Sequence, residues 1–553
     1  MIVAPDAHPF SPAGRARSLE RLGGETFDLL VIGGGITGAG VARSAALRGW
    51  SVALVEKADF ASGTSSRSSK IVHGGLRYLE YGHFLLVRES ARERAVLKRI
   101  APHLVHPLPF LYPVFEGESL IKVRAGLTVF DFLADVNDSE KHENLTPDEV
   151  RQRLPGLRDP LKGGVGYLEY ITDDARLTME NALSAALHGA AVANWASLVD
   201  LDLDGGRVRG GTVEDRLTGT RTDIDARLVV NATGSWAESV LESSGLPVRH
   251  PLIPSKGIHI LLSAERLPIR GASYLTASNG KRGLAMRRGD YVYVGTTDGE
   301  YSGSLDSPRA TRSDVGEVLG MVQDCFPDQG LDYEDVLATW AGVRPLVEER
   351  GKTTRDTSRE DEVWEEPDGL ITVVGGKLTT YRRMAIRVLE MAQESLGMPP
   401  SDDSELDASV PLPGWTHGAD DPQEVEEETA AAFRARGVDA STAERVAWLY
   451  GSQSDVLLEF GDEDPAWLEP LGPDVPALRG EARLAVDQEM AMTLADFMDR
   501  RAALLLFSGD HGLAGAEAAA DIMAQRLDWS PDRRGEELER YRVIAREHGR
   551  PEH

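Results

Sequence analysis

The stretch that most constrains the fold runs from Phe27 to Glu56, where an apolar strand leads into three glycines, a helix and a second strand. Gly33 permits the tight turn, Gly35 lets the backbone approach a pyrophosphate, and Gly38 allows the helix to pack closely on the strand. The carboxylate that ends the second strand can accept hydrogen bonds from ribose hydroxyls and would repel a 2′-phosphate. The pattern therefore predicts a dinucleotide-binding unit that disfavours NADP.

The segment after this unit bears on which dinucleotide it holds. Instead of a second strand–helix–strand repeat, residues 59–78 read DFASGTSSRSSKIVHGGLRY, which is rich in small hydroxyl side chains. Such side chains can bond the diphosphate and ribityl chain of a long cofactor. Residues 231–237 add a strand end for the adenosine half, and 373–382 add a helix N-terminus for the flavin end. Separated segments that return to one site favour FAD over NAD.

Composition narrows the class of protein. The 553 residues predict two or three domains, and the single cysteine, Cys325, excludes an internal disulfide, a cysteine zinc cage and a four-cysteine iron–sulfur cluster. We expect no metal site. The net charge is −29, and 401–553 alone hold 34 acidic residues against 14 arginines, so nucleic-acid binding is not supported. The single cysteine fits a reducing, cytoplasmic location, which is the one we expect. No apolar run suits a membrane span or a signal peptide.

Several motifs resemble the FAD-dependent glycerol-3-phosphate dehydrogenases, a branch of the D-amino-acid-oxidase-like flavoproteins. They follow the family order from about residue 27 to 505 and include VIGGGITGAGVA, GTSSRSSKIVHGGLRYLE, DDARLTMENA, VVNATGSWA, SKGIHI, GTTDGEY, AGVRPL, TTRD, GGKLTTYR and LADFMDRR. The resemblance implies an α/β fold, in which a Rossmann-type FAD-binding domain is interleaved with an α+β substrate domain and followed by an all-helical C-terminal cap.

The domain boundaries that we expect combine this fold with the strand, helix and linker patterns along the chain. They are a flexible N-terminal tail over 1–26; an FAD-binding domain over 27–100, 173–245 and 345–398; a substrate-binding domain over 101–172 and 246–344; a linker over 399–415; and a helical domain over 416–553.

The family's reaction moves a hydride from C2 of sn-glycerol 3-phosphate to flavin N5 and yields dihydroxyacetone phosphate. It needs cations for a phosphate dianion and a polar group at the C2 hydroxyl. The resemblance implies a substrate pocket made of Arg77, Tyr78, His259, Arg344, Arg355 and Lys377. His259 is the expected proton acceptor, and Arg344 is the alternative group that polarises the reacting oxygen.

The residues expected to bind FAD come from four segments of the chain. They are Gly33, Gly35, Ile36, Thr37, Gly38, Glu56, Lys57, Thr64, Ser65, Ser66, Ser68, Ser69, Lys70, His73, Gly74, Ala232, Gly234, Trp236, Gly376, Lys377, Leu378 and Thr379. Taken without the family, any one arginine is more often a surface residue, and a strand histidine is more often structural.

The electron acceptor and the partners stay open at this point. The resemblance implies that a membrane quinone accepts the electrons. Oxygen is the alternative acceptor, as in a glycerol-3-phosphate oxidase. Two other functions remain open: a related amine oxidase and a non-catalytic FAD-binding subunit. Residues 84–99 and 119–133 combine apolar and basic side chains, which fits either peripheral contact with the inner face of the cell membrane or ordinary amphipathic helices. A homodimer is also compatible with the sequence.

Overall fold

The structure is a computed structural model that describes residues 7–76, 79, 82–137, 140–348, 361–366, 369–399, 405–418 and 420–552. Its strands are β1 (Thr26–Ile32), β2 (Val52–Val55), β3 (Ile71–Val72), β4 (His106–Phe115), β5 (Glu143–Leu145), β6 (Leu161–Ile171), β7 (Ala191–Ala193), β8 (Ala196–Asp204), β9 (Arg207–Asp215), β10 (Arg221–Asn231), β11 (Leu252–Ser263), β12 (Ala272–Thr276), β13 (Arg282–Arg288), β14 (Tyr291–Gly295), β15 (Gly299–Glu300), β16 (Ala338–Val347), β17 (Asp361–Glu365) and β18 (Leu370–Gly375).

The helices follow the same chain order. They are α1 (Pro12–Leu22), α2 (Ile36–Leu47), α3 (Phe84–Ile100), α4 (Leu120–Leu133), α5 (Pro147–Arg153), α6 (Asp174–Leu187), α7 (Ala237–Ser243), α8 (Arg312–Cys325), α9 (Tyr381–Leu396), α10 (Leu406–Ser409), α11 (Pro422–Ala435), α12 (Ala440–Tyr450), α13 (Ser454–Glu463), α14 (Arg479–Glu489), α15 (Leu504–Phe507), α16 (Leu513–Arg526) and α17 (Pro531–His548).

The first sheet has the strand order β17–β18–β10–β1–β2–β7, and β18, β10, β1, β2 and β7 run parallel. Parallel strands covered on both faces read as continuous apolar runs, which is how β1 and β2 read in the sequence. The β8–β9 hairpin extends this sheet by pairing with the first half of β10. The sheet confirms the predicted Rossmann-type unit, and its carboxyl edge is where the first turn and Glu56 lie.

The second sheet is mixed and mostly antiparallel, with the order β15–β11–β14–β13–β12–β4–β6–β3; β16 pairs with β11 and β5 with β6. Its strands come from residues 71–171 and 252–347, and those of the first sheet come from the segments between and around them. The two sheets therefore alternate along the chain, as the α/β fold with an interleaved α+β part predicts. This alternation brings distant segments to one site.

The chain from α11 to α17 is mostly helical and agrees with the predicted C-terminal helical part. The chain between Asp496 and Arg501 makes a π-helical turn rather than an α-helical one. No helix in the described part of the chain is long and apolar enough to cross a membrane.

The N-terminal segment differs from the expected flexible tail, because Pro12–Leu22 form helix α1. The Ser11 hydroxyl caps the helix by accepting from the Gly14 amide, and the Arg15 guanidinium pairs with Asp215. The residues that α1 buries include Gly14, Arg15 and Ser18 rather than an apolar stripe. Helical periodicity of apolar residues, on which the sequence prediction depends, is therefore missing here.

The segment predicted as a linker also packs against the rest of the chain where it is described. Ala408, Leu412 and Trp415 are buried, and the Arg43 guanidinium donates to the Val410 carbonyl at 2.6 Å. Its proline and aspartate content is typical of a linker, but the apolar residues between them fill a groove beside α2 and α3.

Candidate active site

A cavity of about 660 Å³ lies where the carboxyl ends of β1, β2, β10 and β18 meet one face of the second sheet. Pockets of this size are typical of small-molecule and cofactor sites. Its walls come from separate segments: 32–37, 55–76, 196–198, 232–243 and 373–379 on the side of the first sheet, and positions within 110–112, 167–169, 257–259, 274–284, 295–296 and 342–346 on the other.

The glycine turn after β1 leaves no room for side chains. Gly33 has φ +109°, and a Cβ there would lie 2.6 Å from the Ala232 carbonyl oxygen, while one on Gly38 would lie 1.9 Å from the Gly33 oxygen. The N-terminus of α2 opens on the cavity beside Gly35, and the Ile36 amide donates to the Ser65 hydroxyl at 2.9 Å. The cradle and the exposed helix end fit the pyrophosphate of a dinucleotide.

Glu56 is almost fully buried at the end of β2, beside this turn. One carboxylate oxygen accepts from the Gly34 amide at 2.6 Å, and the other accepts from the Ala58 amide at 2.9 Å. Burial raises the pKa of Glu56, and the two amides oppose that rise. Each carboxylate oxygen still has a second lone pair, so the group can hold the turn and also accept from a ribose hydroxyl.

The serine-rich segment is divided between the cavity and the protein interior. Thr64, Ser65, Ser68 and Ser69 line the cavity, as do Lys57 and His73. Ser66 and Lys70 do not: the Lys70 ammonium is buried in an ion pair with Asp174 and also donates to the Ser66 carbonyl. Because a buried ammonium needs a carboxylate partner, this part of the predicted cofactor segment is turned inward.

The segment after β18 supplies a further part of the wall on the first-sheet side. Gly376, Lys377, Leu378 and Thr379 all line the cavity, just before the start of α9. Burial lowers the pKa of the neighbouring His73 to about 3, and the positive charges of Lys377 and Arg94 add to that effect.

Of the other predicted cofactor residues, Ile36, Thr37, Ala232, Gly234 and Trp236 line the cavity. Gly38 lies behind the turn, where it contacts Gly33, and Gly74 donates its amide to the Glu169 carboxylate instead of lining the wall.

His259 lies on β11, on the second-sheet side of the cavity. Its ring stacks on Trp340 with 4.9 Å between centroids, and its Nε2 lies 2.9 Å from the Ser69 hydroxyl. The other ring nitrogen, Nδ1, is buried and has no hydrogen-bond partner among the described residues. Burial lowers the pKa of His259 to about 3, helped by the charges of Arg344 and Lys70, so the ring is neutral near pH 7.

Arg344 lies on β16, on the same face of the sheet. One Nη donates to the Thr296 hydroxyl at 3.0 Å, and the Asp298 carboxylate lies 3.7 Å from the other. Gly257 makes the room for this guanidinium, because a Cβ there would lie 2.4 Å from the nearer Nη. The structure thus brings His259, Arg344 and Lys377 to one cavity. Arg77, Tyr78 and Arg355 lie outside the described residues.

The chain matches the family model described as FAD dependent oxidoreductase over residues 28–382. It belongs to this family. Residues 408–534 match a second model, described as the C-terminal domain of alpha-glycerophosphate oxidase. The aerobic glycerol-3-phosphate dehydrogenase of Bacillus subtilis (strain 168) is 36% identical over 544 residues, which cover 96% of this chain and 97% of the relative.

Further comparisons agree with this family membership. The relative with the same description from Staphylococcus aureus (strain USA300) is 36% identical over 523 residues, 93% of each chain. The crystal structure of the glycerol-3-phosphate dehydrogenase from Bacillus halodurans, complexed with FAD, is similar with a TM-score of 0.81 and 33% identity, covering 98% of each chain.

FAD is accordingly the cofactor of this FAD-dependent oxidoreductase, and the cavity fits it. The glycine cradle at Gly33 and the N-terminus of α2 suit the diphosphate, and the buried Glu56 suits a ribose. The segment 376–379 ends in the N-terminal turn before α9, whose backbone amides suit the electron-rich end of a flavin.

Other cavity residues were not predicted from the sequence. Arg67 and Arg282 add two cations, Tyr112 and Tyr274 add aromatic surface, and the buried Glu169 pairs with Arg94. Two-residue alternation within β4, β6, β12 and β13 would have placed such residues on one face of the sheet. The packing of the two sheets decides which face of the second sheet meets the cofactor. Local sequence patterns do not predict this packing.

Proposed function

We propose that this FAD-dependent oxidoreductase oxidises sn-glycerol 3-phosphate to dihydroxyacetone phosphate and passes the electrons to a membrane quinone. The observation that carries the proposal is the meeting of His259, Arg344 and Lys377 in the cavity that also holds the dinucleotide cradle. Near-full-length similarity to proteins described as aerobic glycerol-3-phosphate dehydrogenases supports the same substrate.

The cations suit a phosphate ester. Arg344 presents a planar fork of donors held by Thr296 and Asp298, and Lys377 lies across the cavity on the first-sheet side. Phosphate oxygens accept charge-assisted bonds from such groups, and a guanidinium fork also fixes their orientation. Arg77 and Arg355 complete the proposed set on the strength of their motifs.

Bound FAD supplies the hydride acceptor, and the side chains around it position the substrate and receive the proton of its C2 hydroxyl. Neutral His259 is the proposed proton acceptor, because its uncharged ring lines the cavity and its Nε2 lies 2.9 Å from the Ser69 hydroxyl, with which it can exchange a proton. A phosphate dianion bound nearby would raise the pKa of His259 from its low value, because it favours the charged ring. Arg344 stabilises negative charge on the oxygen as that proton leaves.

The test is anaerobic bleaching of the flavin in the full-length holoenzyme. Addition of sn-glycerol 3-phosphate should bleach it, whereas sarcosine and NADH should not. Bleaching by sarcosine would support an amine oxidase, and absence of bleaching with stoichiometric flavin would support a non-catalytic FAD-binding subunit. Either result would contradict the proposal.

Oxygen is the second candidate acceptor, because residues 408–534 match the C-terminal domain described for alpha-glycerophosphate oxidase. After anaerobic reduction by the substrate, a soluble quinone analogue should reoxidise the flavin much faster than air-saturated buffer does. Rapid reoxidation by oxygen with stoichiometric peroxide would replace the quinone with oxygen and leave the substrate assignment unchanged.

Peripheral contact with a membrane is supported by exposed apolar side chains on α3 and α4. Leu85, Ile121 and Phe132 are each at least 80% exposed, and Phe84 is 52% exposed. An interfacial helix presents such a face together with basic residues, here including Lys122. Ile121→Ser with Phe132→Ser should reduce sedimentation with phosphatidylglycerol vesicles, whereas Val199→Ser, an exposed residue on β8, should not. Equal sedimentation of the wild-type protein, the double variant and Val199→Ser would contradict this contact.

A further inference from the structure

A buried network of ion pairs joins the C-terminal helical part to the segment that lines the cavity. The π-helical turn Asp496–Arg501 provides one side of it. The Arg67 guanidinium donates two hydrogen bonds to Asp499, at 2.6 and 3.1 Å. The Asp59 carboxylate accepts from Arg500 at 2.7 Å and from Arg501 at 3.0 Å.

Within the turn, Arg500 connects the two attachments. One Nη donates to Asp499 at 2.8 Å and the other to Asp496 at 2.9 Å, while its Nε reaches Asp59. Three carboxylates therefore face three guanidinium groups. Although burial opposes it, the charges of Arg67 and Arg500 hold the pKa of Asp499 below its ordinary value. A buried network of this kind is costly to break on one side, because the remaining charge loses its partner.

The two attachment points lie at the two ends of one cavity segment. Asp59 follows Glu56 by three residues, and Arg67 lies among the serines. Ser62, Gly63, Thr64 and Ser65 lie between them and line the cavity, and Ser65 accepts from the Ile36 amide at the start of α2. Asn194, directly after β7, also donates to Asp59, and the Ala61 amide donates to the Gly34 carbonyl, both at 3.0 Å. The two ends of this segment are therefore held in part from outside the first sheet, by residues more than 430 positions away in the chain.

The segment is also held against the second sheet, where little space remains. A Cβ on Gly342 would lie 3.0 Å from the Arg67 carbonyl oxygen and 3.1 Å from its Cβ. The Thr64 hydroxyl donates to the Val343 carbonyl at 2.6 Å. Residues 59–67 are therefore held by β16 in the middle and by the π-helical turn at both ends.

We propose that the π-helical turn is a positioning element for the cofactor. Asp499 holds Arg67, Arg500 and Arg501 hold Asp59, and the segment between them keeps the shape that receives FAD. Docking of the C-terminal helices and binding of FAD are then coupled, and the coupling is reciprocal, so each strengthens the other by the same factor.

The test compares Asp499→Asn with Glu489→Gln in the full-length protein. Glu489 forms a fully buried ion pair with Arg176, which also links the C-terminal helices to the rest of the chain. Its backbone carbonyl accepts from Arg501, but the substitution Glu489→Gln leaves that carbonyl in place, and none of the described contacts of the Glu489 carboxylate is with segment 59–67. The dissociation constant of FAD is measured by fluorescence titration of the apoprotein, so the readout does not depend on the substrate. Asp499→Asn should raise it at least tenfold and Glu489→Gln less than twofold, while Asp499→Glu should recover part of the affinity.

Equal losses of FAD affinity in Asp499→Asn and Glu489→Gln would overturn the proposal, because they would reflect general destabilisation. If Asp499→Asn is insoluble, Arg500→Lys keeps the charge and loses the fork of donors. Its control is Arg445→Lys, since Arg445 also makes three hydrogen bonds, two to Glu481 and one to the Ala502 carbonyl, all inside the C-terminal part and none to segment 59–67. Arg500→Lys should weaken FAD binding and Arg445→Lys should not; the same affinity in both variants would refute the coupling.

Reciprocity gives a second readout. Hydrogen exchange of amides in the turn Asp496–Arg501 should slow when FAD is added to the wild-type apoprotein. At saturating FAD the slowing should be smaller in Asp499→Asn, which loses the Arg67 attachment and keeps the Asp59 attachment. If FAD does not change hydrogen exchange in the turn of the wild-type protein, the proposal is contradicted, whatever the FAD affinities of the variants are.

Discussion

Gly257→Ala should damage substrate binding while leaving the cofactor in place. A Cβ at this position would lie 2.4 Å from the nearer Nη of Arg344 and 2.4 Å from the Thr296 hydroxyl. Carbon in ordinary contact needs about 3.5 Å, so the guanidinium must move by about 1 Å. The end of an arginine side chain can move in this way without unfolding the sheet.

The magnitude follows from what that movement costs. Hydrogen bonds to a charged group contribute about 1.5–3 kcal/mol, and about 1.4 kcal/mol corresponds to a factor of ten in binding. We therefore expect the dissociation constant for sn-glycerol 3-phosphate to rise roughly 10- to 100-fold, which agrees with the cost of about 10²-fold for a 1 Å misplacement in an active site.

The assay is stopped-flow reduction of the flavin under anaerobic conditions, with the substrate dissociation constant taken from saturation of the rate. Gly316→Ala is the matched control, because nothing lies within 4 Å of a Cβ at that position in α8. It should leave the kinetics unchanged and stabilise the protein by about 0.5–1 kcal/mol through helix propensity. A wild-type dissociation constant in Gly257→Ala, with full flavin content, would refute the assignment of Arg344 to the substrate.

Two further perturbations test the cofactor end and the buried histidine. In Glu56→Gln one of the two charged oxygens that accept from the Gly34 and Ala58 amides is lost. The FAD dissociation constant should rise about tenfold, from a loss of about 1.5 kcal/mol. An unchanged dissociation constant in a fluorescence titration would remove Glu56 from the site. The lowered pKa of His259, about 3 against 6.5, means that the unfolded chain takes up the proton first as the pH falls. Its contribution is complete above pH 6.5 and should decline below it by about 1.4 kcal/mol per pH unit, so His259→Gln should flatten the pH dependence of urea unfolding between pH 6 and 4.

The parts of the fold that follow local rules could be predicted from the sequence. The apolar run of β1, its glycine turn and α2 lie within one short stretch, so spacing alone indicates the dinucleotide unit. Helix α1 was not predicted, because it buries small and paired polar residues such as Arg15, whose partner Asp215 lies 200 positions away. The periodicity of apolar residues predicts which apolar side chains are buried, but it does not predict the burial of charged side chains in ion pairs.

The candidate site shows the same division. The family motifs predicted that His259, Arg344 and Lys377 belong to one site, and the structure brings these three residues to one cavity. Arg67 lies in the serine-rich segment, but the sequence predicted no role for it. The orientation of its side chain depends on its ion-pair partner Asp499, which lies in the C-terminal helices. Lys70 was assigned to the cofactor from its neighbours, although its ammonium lies in an ion pair with Asp174. A cation in a motif does not reveal which of its possible partners it will meet.

The pairing of β11 with β16 suggests how two cations share this region, and it leads to a last prediction. Gly257 and Gly342 are direct cross-strand partners, so two missing side chains make one gap on the face of the sheet. Arg344 fills the side above Gly257, and the backbone and Cβ of Arg67 fill the side above Gly342. In Gly342→Ala the new Cβ would lie 3.0–3.1 Å from Arg67, a crowding that a small shift of Arg67 relieves without breaking its ion pair with Asp499. The substitution should therefore weaken FAD binding less than Asp499→Asn does and leave the substrate dissociation constant near that of the wild type. The opposite pattern, weaker substrate binding with unchanged FAD affinity, would mean that the two sides of the gap do not serve separate ligands.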